Sequence, residues 1–146
     1  MVYAKRYVRD GFTLVELMIV IAILGLLMAF LGPTVYNAYK KAQVGAAKTE
    51  LLRLKTAINQ FYMDTGVYPG SLKDLTRPPA QEEIARKWGG GLGAKGKYVK
   101  KLKKDPWGVP YKYNRERYKD NPYTLFSYGP DGRRGKTKIY VWDLEE

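Results

Sequence analysis

The chain has 146 residues and a formal net charge of +12, with 26 lysines and arginines against 14 aspartates and glutamates. It contains no cysteine and no histidine. Those absences exclude disulfides, zinc sites of the Cys/His type, and catalysis by Ser-His-Asp or Cys-His groups. The positive charge favours acidic partners such as nucleic acid, anionic lipid or an acidic protein face, and it is equally typical of a well-solvated surface.

The N-terminal part pairs a basic peptide, residues 1–11, with a long apolar stretch whose one charged residue is Glu16. The run from Phe12 to Leu31 is about 20 residues, which as a helix spans about 30 Å, the thickness of a bilayer core. Positive charge in front of a membrane helix favours the cytoplasmic side. We therefore expect the N-terminus in the cytoplasm and the C-terminus outside.

The small residue Gly11 precedes the apolar run. In a secretory signal the small residues of the cleavage site follow the apolar region instead. A cut after Gly11 would leave the helix on the mature chain and make Phe12 its new N-terminus. Glu16 would then be an intramembrane carboxylate, which is costly without a partner. The α-amine of Phe12 is the nearest cation, and that of a neighbouring subunit suits the geometry better than its own. The alternative is that Glu16 extends to the membrane interface.

From Thr34 the pattern is that of an amphipathic helix, which continues the membrane helix. Pro33 lacks a backbone donor and predicts a kink or local loosening near residues 29–33. The helix should end at Gly66, in a left-handed cap. The apolar residues recur at spacings of three and four, and they are Val44, Ala47, Leu51, Leu54, Ile58 and Phe61. This stripe should pack on the C-terminal domain.

The remaining chain is punctuated by turns. Short helices are predicted over residues 71–75, capped by Ser71, and over residues 80–88. Strands rich in Tyr, Val and Ile are predicted over 109–114, 123–127 and 138–142, which describes a small antiparallel sheet of about three strands. The fold class is α+β, with four segments: a leader at 1–11, a membrane half-helix at 12–33, an amphipathic half at 34–63 and a globular domain at 64–146.

Two segments can each be interpreted either as a binding site or as an ordinary surface segment without a binding role. Residues 89–96 formally contain G-x-G-x-x-G, but no strand–loop–helix frame surrounds them, so we interpret them as a flexible loop. Lys97–Lys104 is the densest basic run, and it predicts either a phosphate contact with Tyr98 stacked on a base, or a solvated connection. Runs of like charge are more often surface, so the second interpretation is favoured.

GFTLVELMIV, residues 11–20, resembles the N-terminus of type IV pilins and pseudopilins. The resemblance implies that a prepilin peptidase cuts after Gly11 and methylates Phe12, and that Glu16 pairs with the N-terminus of an adjacent subunit. Pro33 also matches the family, whose helix can lose structure there in the filament. One departure is Asp10, where the family is usually neutral or basic.

The C-terminal half resembles the major pseudopilin of the type II secretion system. The matching segments are DTGVYP, YVKKLKKDPWGVPY and SYGPDGRRG, in the same order and approximate spacing. The resemblance implies a pilin-like fold and a non-enzymatic subunit of a periplasmic filament, which helps a secretion ATPase export folded proteins. It also implies an inner-membrane anchor and, as partners, further copies of the chain, minor pseudopilins, prepilin peptidase and an inner-membrane assembly platform.

In those pseudopilins the loop after GPDG usually holds a calcium ion, and Asp131 and the backbone carbonyl of Tyr128 match two of its ligands. Where the two later acidic ligands belong, this chain has Lys136, Thr137 and Lys138. Calcium requires six to eight oxygens and negative charge, so we expect no full-strength site. Our hypothesis is that a lysine ammonium replaces the ion and pairs with Asp131 or Asp143.

Two other functions suit part of the sequence. A type IV pilin of a DNA-uptake or adhesion pilus would suit the basic surface, and strongly salt-dependent DNA binding would favour it. An electron-carrying filament would suit the 13 tyrosines. Strand propensity and packing explain the tyrosines equally well, and nucleic acid is not expected as a partner of a pseudopilin.

Overall fold

The computed structural model describes residues 11–89 and 96–144. The predicted leader, except for Gly11, and most of the predicted glycine-rich loop lie outside the described residues. The chain divides into two units, Met1–Lys40 and Lys41–Glu146, which are considered separately.

The long helix α1, Leu14–Thr65, is the main element of the first unit and continues into the second. Its first part, Leu14–Gly32, is long and apolar enough to cross a membrane, with a mean hydropathy of 2.8 over 19 residues. The backbone stays helical through Gly32 and Pro33. The loosening predicted near residues 29–33 therefore does not interrupt the helix, even though the proline nitrogen cannot donate a hydrogen bond.

In the second unit the predicted stripe of α1 is the centre of the core. Leu51, Leu54, Ile58 and Phe61 are each at most 1% exposed, and Val44 is half-buried. The four buried residues pack in one cluster with side chains from the rest of the unit, which are Leu75, Val99, Tyr111, Tyr123, Leu125 and Val141. Because each buried aliphatic or aromatic side chain contributes about 1.5–3 kcal/mol, this cluster is the main stabilising feature of the unit.

The end of α1 is the one that the sequence predicts. Gly66 has a φ of +80° and donates its amide to the carbonyl of Tyr62 at 2.8 Å. No atom lies within 4 Å of where its Cβ would stand. Glycine is therefore favoured at this position by its backbone conformation and not by lack of space.

Two short helices follow, each near its predicted position. The first is a 3₁₀ helix, Leu72–Leu75, and the Ser71 amide donates to the Asp74 carboxylate at 2.9 Å. The second is α2, Glu82–Lys87, in which Glu82 and Arg86 form an ion pair of 2.7 Å. Each helix is shorter than its predicted span, which was 71–75 for the first and 80–88 for the second.

The sheet has three antiparallel strands in the order β1-β2-β3, namely β1 Lys112–Asn114, β2 Thr124–Ser127 and β3 Ile139–Tyr140. This confirms the predicted α+β architecture, although each strand is shorter than predicted. Strand β1 starts late because the Val109 amide donates to the carboxylate of Asp105, at 2.7 Å, and not to a neighbouring strand. Strand β3 ends early because Trp142–Leu144 turns into a 3₁₀ helix.

Candidate functional site

At the start of α1 the carboxylate of Glu16 contacts Thr13. The amide and the hydroxyl of Thr13 donate to Oε2 of Glu16 at 2.8 and 2.9 Å, and the Glu16 amide donates back to the Thr13 hydroxyl at 3.2 Å. This is a capping box, which satisfies amides that the helix itself leaves free. A Thr followed three residues later by Glu is the signature of a capping box, which we did not predict from the sequence. In this uncut chain Glu16 therefore has a local partner.

The two residues of the predicted cleavage site precede that capping box. Gly11 and Phe12 lie outside the helix, and Phe12 is 89% exposed. Apart from its chain neighbours, no described residue has an atom within 4 Å of where a Gly11 Cβ would stand. Both residues of the predicted site are therefore exposed and non-helical.

The following span, Leu14–Gly32, presents large apolar side chains on every side, and none of its apolar window is buried within the chain. Glu16 is its only ionisable residue. A helix that is apolar all round belongs in lipid or in the interior of a larger assembly. This span can thus serve as a membrane anchor and as a contact surface for other apolar helices.

A buried carboxylate connects the loops of the second unit. Asp105 is 5% exposed, and its Oδ1 accepts the amides of Trp107 and Val109 at 3.2 and 2.7 Å. Its Oδ2 accepts the hydroxyl of Ser127 at 2.7 Å, and that hydroxyl oxygen accepts the amide of Gly129 at 3.1 Å. The DPWG turn and the GPDG loop are therefore held together by one aspartate.

In the loop after GPDG we predicted that a lysine ammonium takes the place of a calcium ion. The charged side chains there have other partners than this hypothesis states. Asp131 accepts the hydroxyl of Thr137. Asp143 forms an ion pair with Lys119 at 2.9 Å, which holds the pKa of this carboxyl below its ordinary value. The ammonium of Lys138 lies 5.3 Å from the ring centre of Phe126.

The predicted lysine–aspartate pair is therefore wrong. Among the residues that the structure describes, neither Lys136 nor Lys138 forms an ion pair with Asp131 or Asp143, because both carboxylates have other partners. Within the same residues, no group of three or more carboxylate, histidine or cysteine side chains is arranged to hold a metal.

The basic run, Lys97–Lys104, has exposed lysines but no free aromatic platform. The hydroxyl of Tyr98 donates to Asp64 at 2.7 Å and accepts the amide of Gly89 at 2.9 Å. The Tyr98 ring packs against Trp88, with centroids 5.6 Å apart. Tyr98 is therefore part of the packed domain, which argues against the alternative in which it stacks on a base.

Together, the long helix with an apolar first part and the small antiparallel sheet packed on its second part define a pilin-like protein. The family model "Type II secretion system (T2SS), protein G" matches residues 34–142, and the model "Prokaryotic N-terminal methylation motif" matches residues 7–32. The chain belongs to the type II secretion system protein G family, the major pseudopilins. This confirms the resemblance stated from the sequence.

Several relatives are similar in sequence over nearly the whole chain. The type II secretion system core protein G of Pseudomonas aeruginosa is 35% identical over 134 residues, which is 90% of each chain. That of Vibrio cholerae is 35% identical over 149 aligned positions, covering 97% of each chain. The crystal structure of the major pseudopilin from the type 2 secretion system of enterohaemorrhagic Escherichia coli is similar with a TM-score of 0.59 and 26% identity. The match covers 75% of this chain and 94% of that one.

Proposed function

We propose that this chain is the main structural subunit of a periplasmic pseudopilus and that it enters the filament through its N-terminal helix. Family membership supports the filament. The observation that carries the route of assembly is the exposed apolar surface of Leu14–Gly32, none of which is buried within the chain. Lipid and the interior of a helical filament are both apolar, so moving this span from one to the other needs no change of its surface.

Processing prepares the helix for that transfer. In our proposal a prepilin peptidase cuts between Gly11 and Phe12 and methylates the new amine. The matched N-terminal methylation motif and the exposed bond support this step. The cut removes the basic leader and creates a positive charge at Phe12, which the uncut chain lacks.

The carboxylate of Glu16 then pairs with the positively charged amine of such a new N-terminus. Among the described residues of the uncut chain, the Glu16 carboxylate accepts hydrogen bonds from the neutral donors of Thr13, at 2.8 and 2.9 Å. A carboxylate that enters an apolar filament needs a cation, and a bond to an ammonium is stronger than one to a neutral amide. We therefore assign Glu16 to the methylated Phe12 of an adjacent subunit.

Topology and partners follow from the same proposal. The basic leader stays in the cytoplasm and the second unit lies in the periplasm. Besides further copies of this chain, the partners are minor pseudopilins, the prepilin peptidase and the assembly platform of the inner membrane. The chain is a substrate of that machinery, and we assign it no catalysis.

The rival function, a DNA-uptake or adhesion pilus, rests on the exposed lysines of Lys97–Lys104. Such a surface predicts DNA affinity that falls steeply with salt. It lacks a stacking platform at Tyr98, whose hydroxyl is bonded to Asp64. Tight, salt-dependent binding of DNA by the full chain would favour the rival.

Filament formation in cells that express the prepilin peptidase together with the minor pseudopilins and the assembly platform of a type II secretion system tests the proposal. We expect sheared filaments of the wild-type chain to sediment, and Glu16→Ala to be cleaved normally but to remain in the membrane. Glu83→Ala is the matched control, because it removes an exposed carboxylate on α2, and it should assemble as the wild type does. Filaments of normal yield from Glu16→Ala would contradict the assigned role of Glu16, and failure of the wild type to assemble would contradict the proposal itself.

A further inference from the structure

The loop between β2 and β3, residues 128–138, is the place where the family resemblance implies a calcium ion. We infer that this chain closes the loop with its own side chains instead, through the hydroxyl of Thr137 and the carboxylate of Asp131, and that it folds independently of calcium. This inference concerns the folding of the second unit and stands apart from the proposed route of assembly.

The charge of the loop disfavours a bound cation. The loop contains a single acidic residue, Asp131, and its four basic residues are Arg133, Arg134, Lys136 and Lys138. A divalent cation there would meet a net positive field and few of the six to eight oxygens that calcium requires. Asp143, the next acidic residue along the chain, is held by Lys119 at 2.9 Å and by the hydroxyl of Tyr118 at 3.1 Å.

The two sides of the loop are closely packed against each other. Gly129 has a φ of +72°, and a Cβ at this residue would overlap the carbonyl oxygen of Thr137. A Cβ at Gly135 would likewise overlap Asp131. The two sides of the loop therefore touch, and the Thr137 hydroxyl donates to Asp131 at the point of contact. Protein atoms from the two sides therefore contact each other directly in this loop.

Each end of the loop is anchored by side chains of the second unit. At its start the Gly129 amide donates to the hydroxyl of Ser127 at 3.1 Å, and that hydroxyl donates to buried Asp105 at 2.7 Å. At its end the ammonium of Lys138 lies over the ring of Phe126, at 5.3 Å from its centre. Lys138 lies where the family resemblance implies an acidic calcium ligand. Its positive charge is stabilised by this cation–π contact.

Thermal unfolding of the full-length chain in detergent, with calcium chloride or with a chelator, tests this inference. At about 5 mM calcium even a weak extracellular type of site would be largely filled, and Tm would rise by about 4 °C or more. We expect the two Tm values to be equal. A rise of that size in the wild-type chain would overturn the inference.

Variants of the loop test the proposed hydrogen bond. Thr137→Val removes the hydroxyl at nearly constant volume, and we expect Tm to fall by about 2–5 °C both with calcium and with chelator. Thr137→Ser keeps the hydroxyl and should retain the wild-type Tm. An unchanged Tm for Thr137→Val would show that the hydroxyl does not close the loop and would overturn the inference.

Discussion

The hydroxyl of Ser127 donates a 2.7 Å hydrogen bond to the carboxylate of Asp105, and both side chains are buried. The same carboxylate accepts the amides of Trp107 and Val109. One side chain therefore fixes the turn before β1 and, through Ser127, the last residue of β2. The pairing of the sheet and the position of the following loop depend on it.

Removing this carboxylate should be strongly destabilising. In Asp105→Ala, two amides and one hydroxyl lose their acceptor in a buried environment, which we expect to lower the free energy of unfolding by about 2–4 kcal/mol. Asp105→Asn keeps one acceptor oxygen and should lose less. Urea unfolding of the full chain measures both.

Asp120→Ala is the control for that series, because Asp120 is exposed and its side chain takes part in none of the described hydrogen bonds. Its free energy of unfolding should change by less than about 0.5 kcal/mol. Equal effects of Asp105→Ala and Asp120→Ala would contradict the role assigned to Asp105.

The apolar stripe of α1 gives a second prediction with a matched pair. Leu54 is 1% exposed and Leu52, on the same helix, is 39% exposed. Leu54→Ala should lower the free energy of unfolding by about 2–5 kcal/mol, since it leaves a cavity in the core. Leu52→Ala should lower it by less than about 1 kcal/mol. Similar losses, measured by urea unfolding of full-length chains in detergent, would mean that the stripe is not the packed face.

Tyr98 predicts a loss of stability at alkaline pH. Burial, together with the hydrogen bond to Asp64, raises the pKa of Tyr98 from 10.0 to about 12. Because the folded protein favours the neutral phenol, the stabilisation is complete below pH 10 and is lost as pH rises from about 10 to about 12. Tm should therefore fall across this window.

Tyr98→Phe isolates that contribution. The variant lacks the hydrogen bond to Asp64 and should be less stable than the wild type at neutral pH. Its Tm should nevertheless decline less between pH 10 and 12, because one ionising group has been removed. Parallel curves for the variant and the wild type would rule out the ionisation of Tyr98 as a cause of the decline.

Much of the fold can be predicted from periodicity and turn residues. The buried face of α1 follows from the spacing of Leu51, Leu54 and Ile58, and its end follows from Gly66, because both features are local in sequence. The strands are also found in their predicted places. Their lengths could not be predicted, because they depend on where individual amides find acceptors, as the Val109 amide does at Asp105.

The contacts between distant residues were the least predictable. The hydroxyl of Tyr98 contacts Asp64, 34 positions away, and so an aromatic residue inside a lysine run is structural. The lysines at positions 136 and 138 led us to expect an ion pair with Asp131 or Asp143, but these two carboxylates have other partners. The two lysines did not reveal that Thr137, between them, bonds to Asp131.

The central claim is that the chain becomes a filament subunit by a cut after Gly11, which creates a methylated Phe12. Intact mass and N-terminal sequencing of the membrane-extracted protein, with and without co-expressed prepilin peptidase, test it most directly. We predict a new N-methyl-Phe12 terminus that appears only with the peptidase. A chain that keeps residues 1–11 in the presence of an active peptidase would contradict the account, since Glu16 would then have no N-terminal amine to bind.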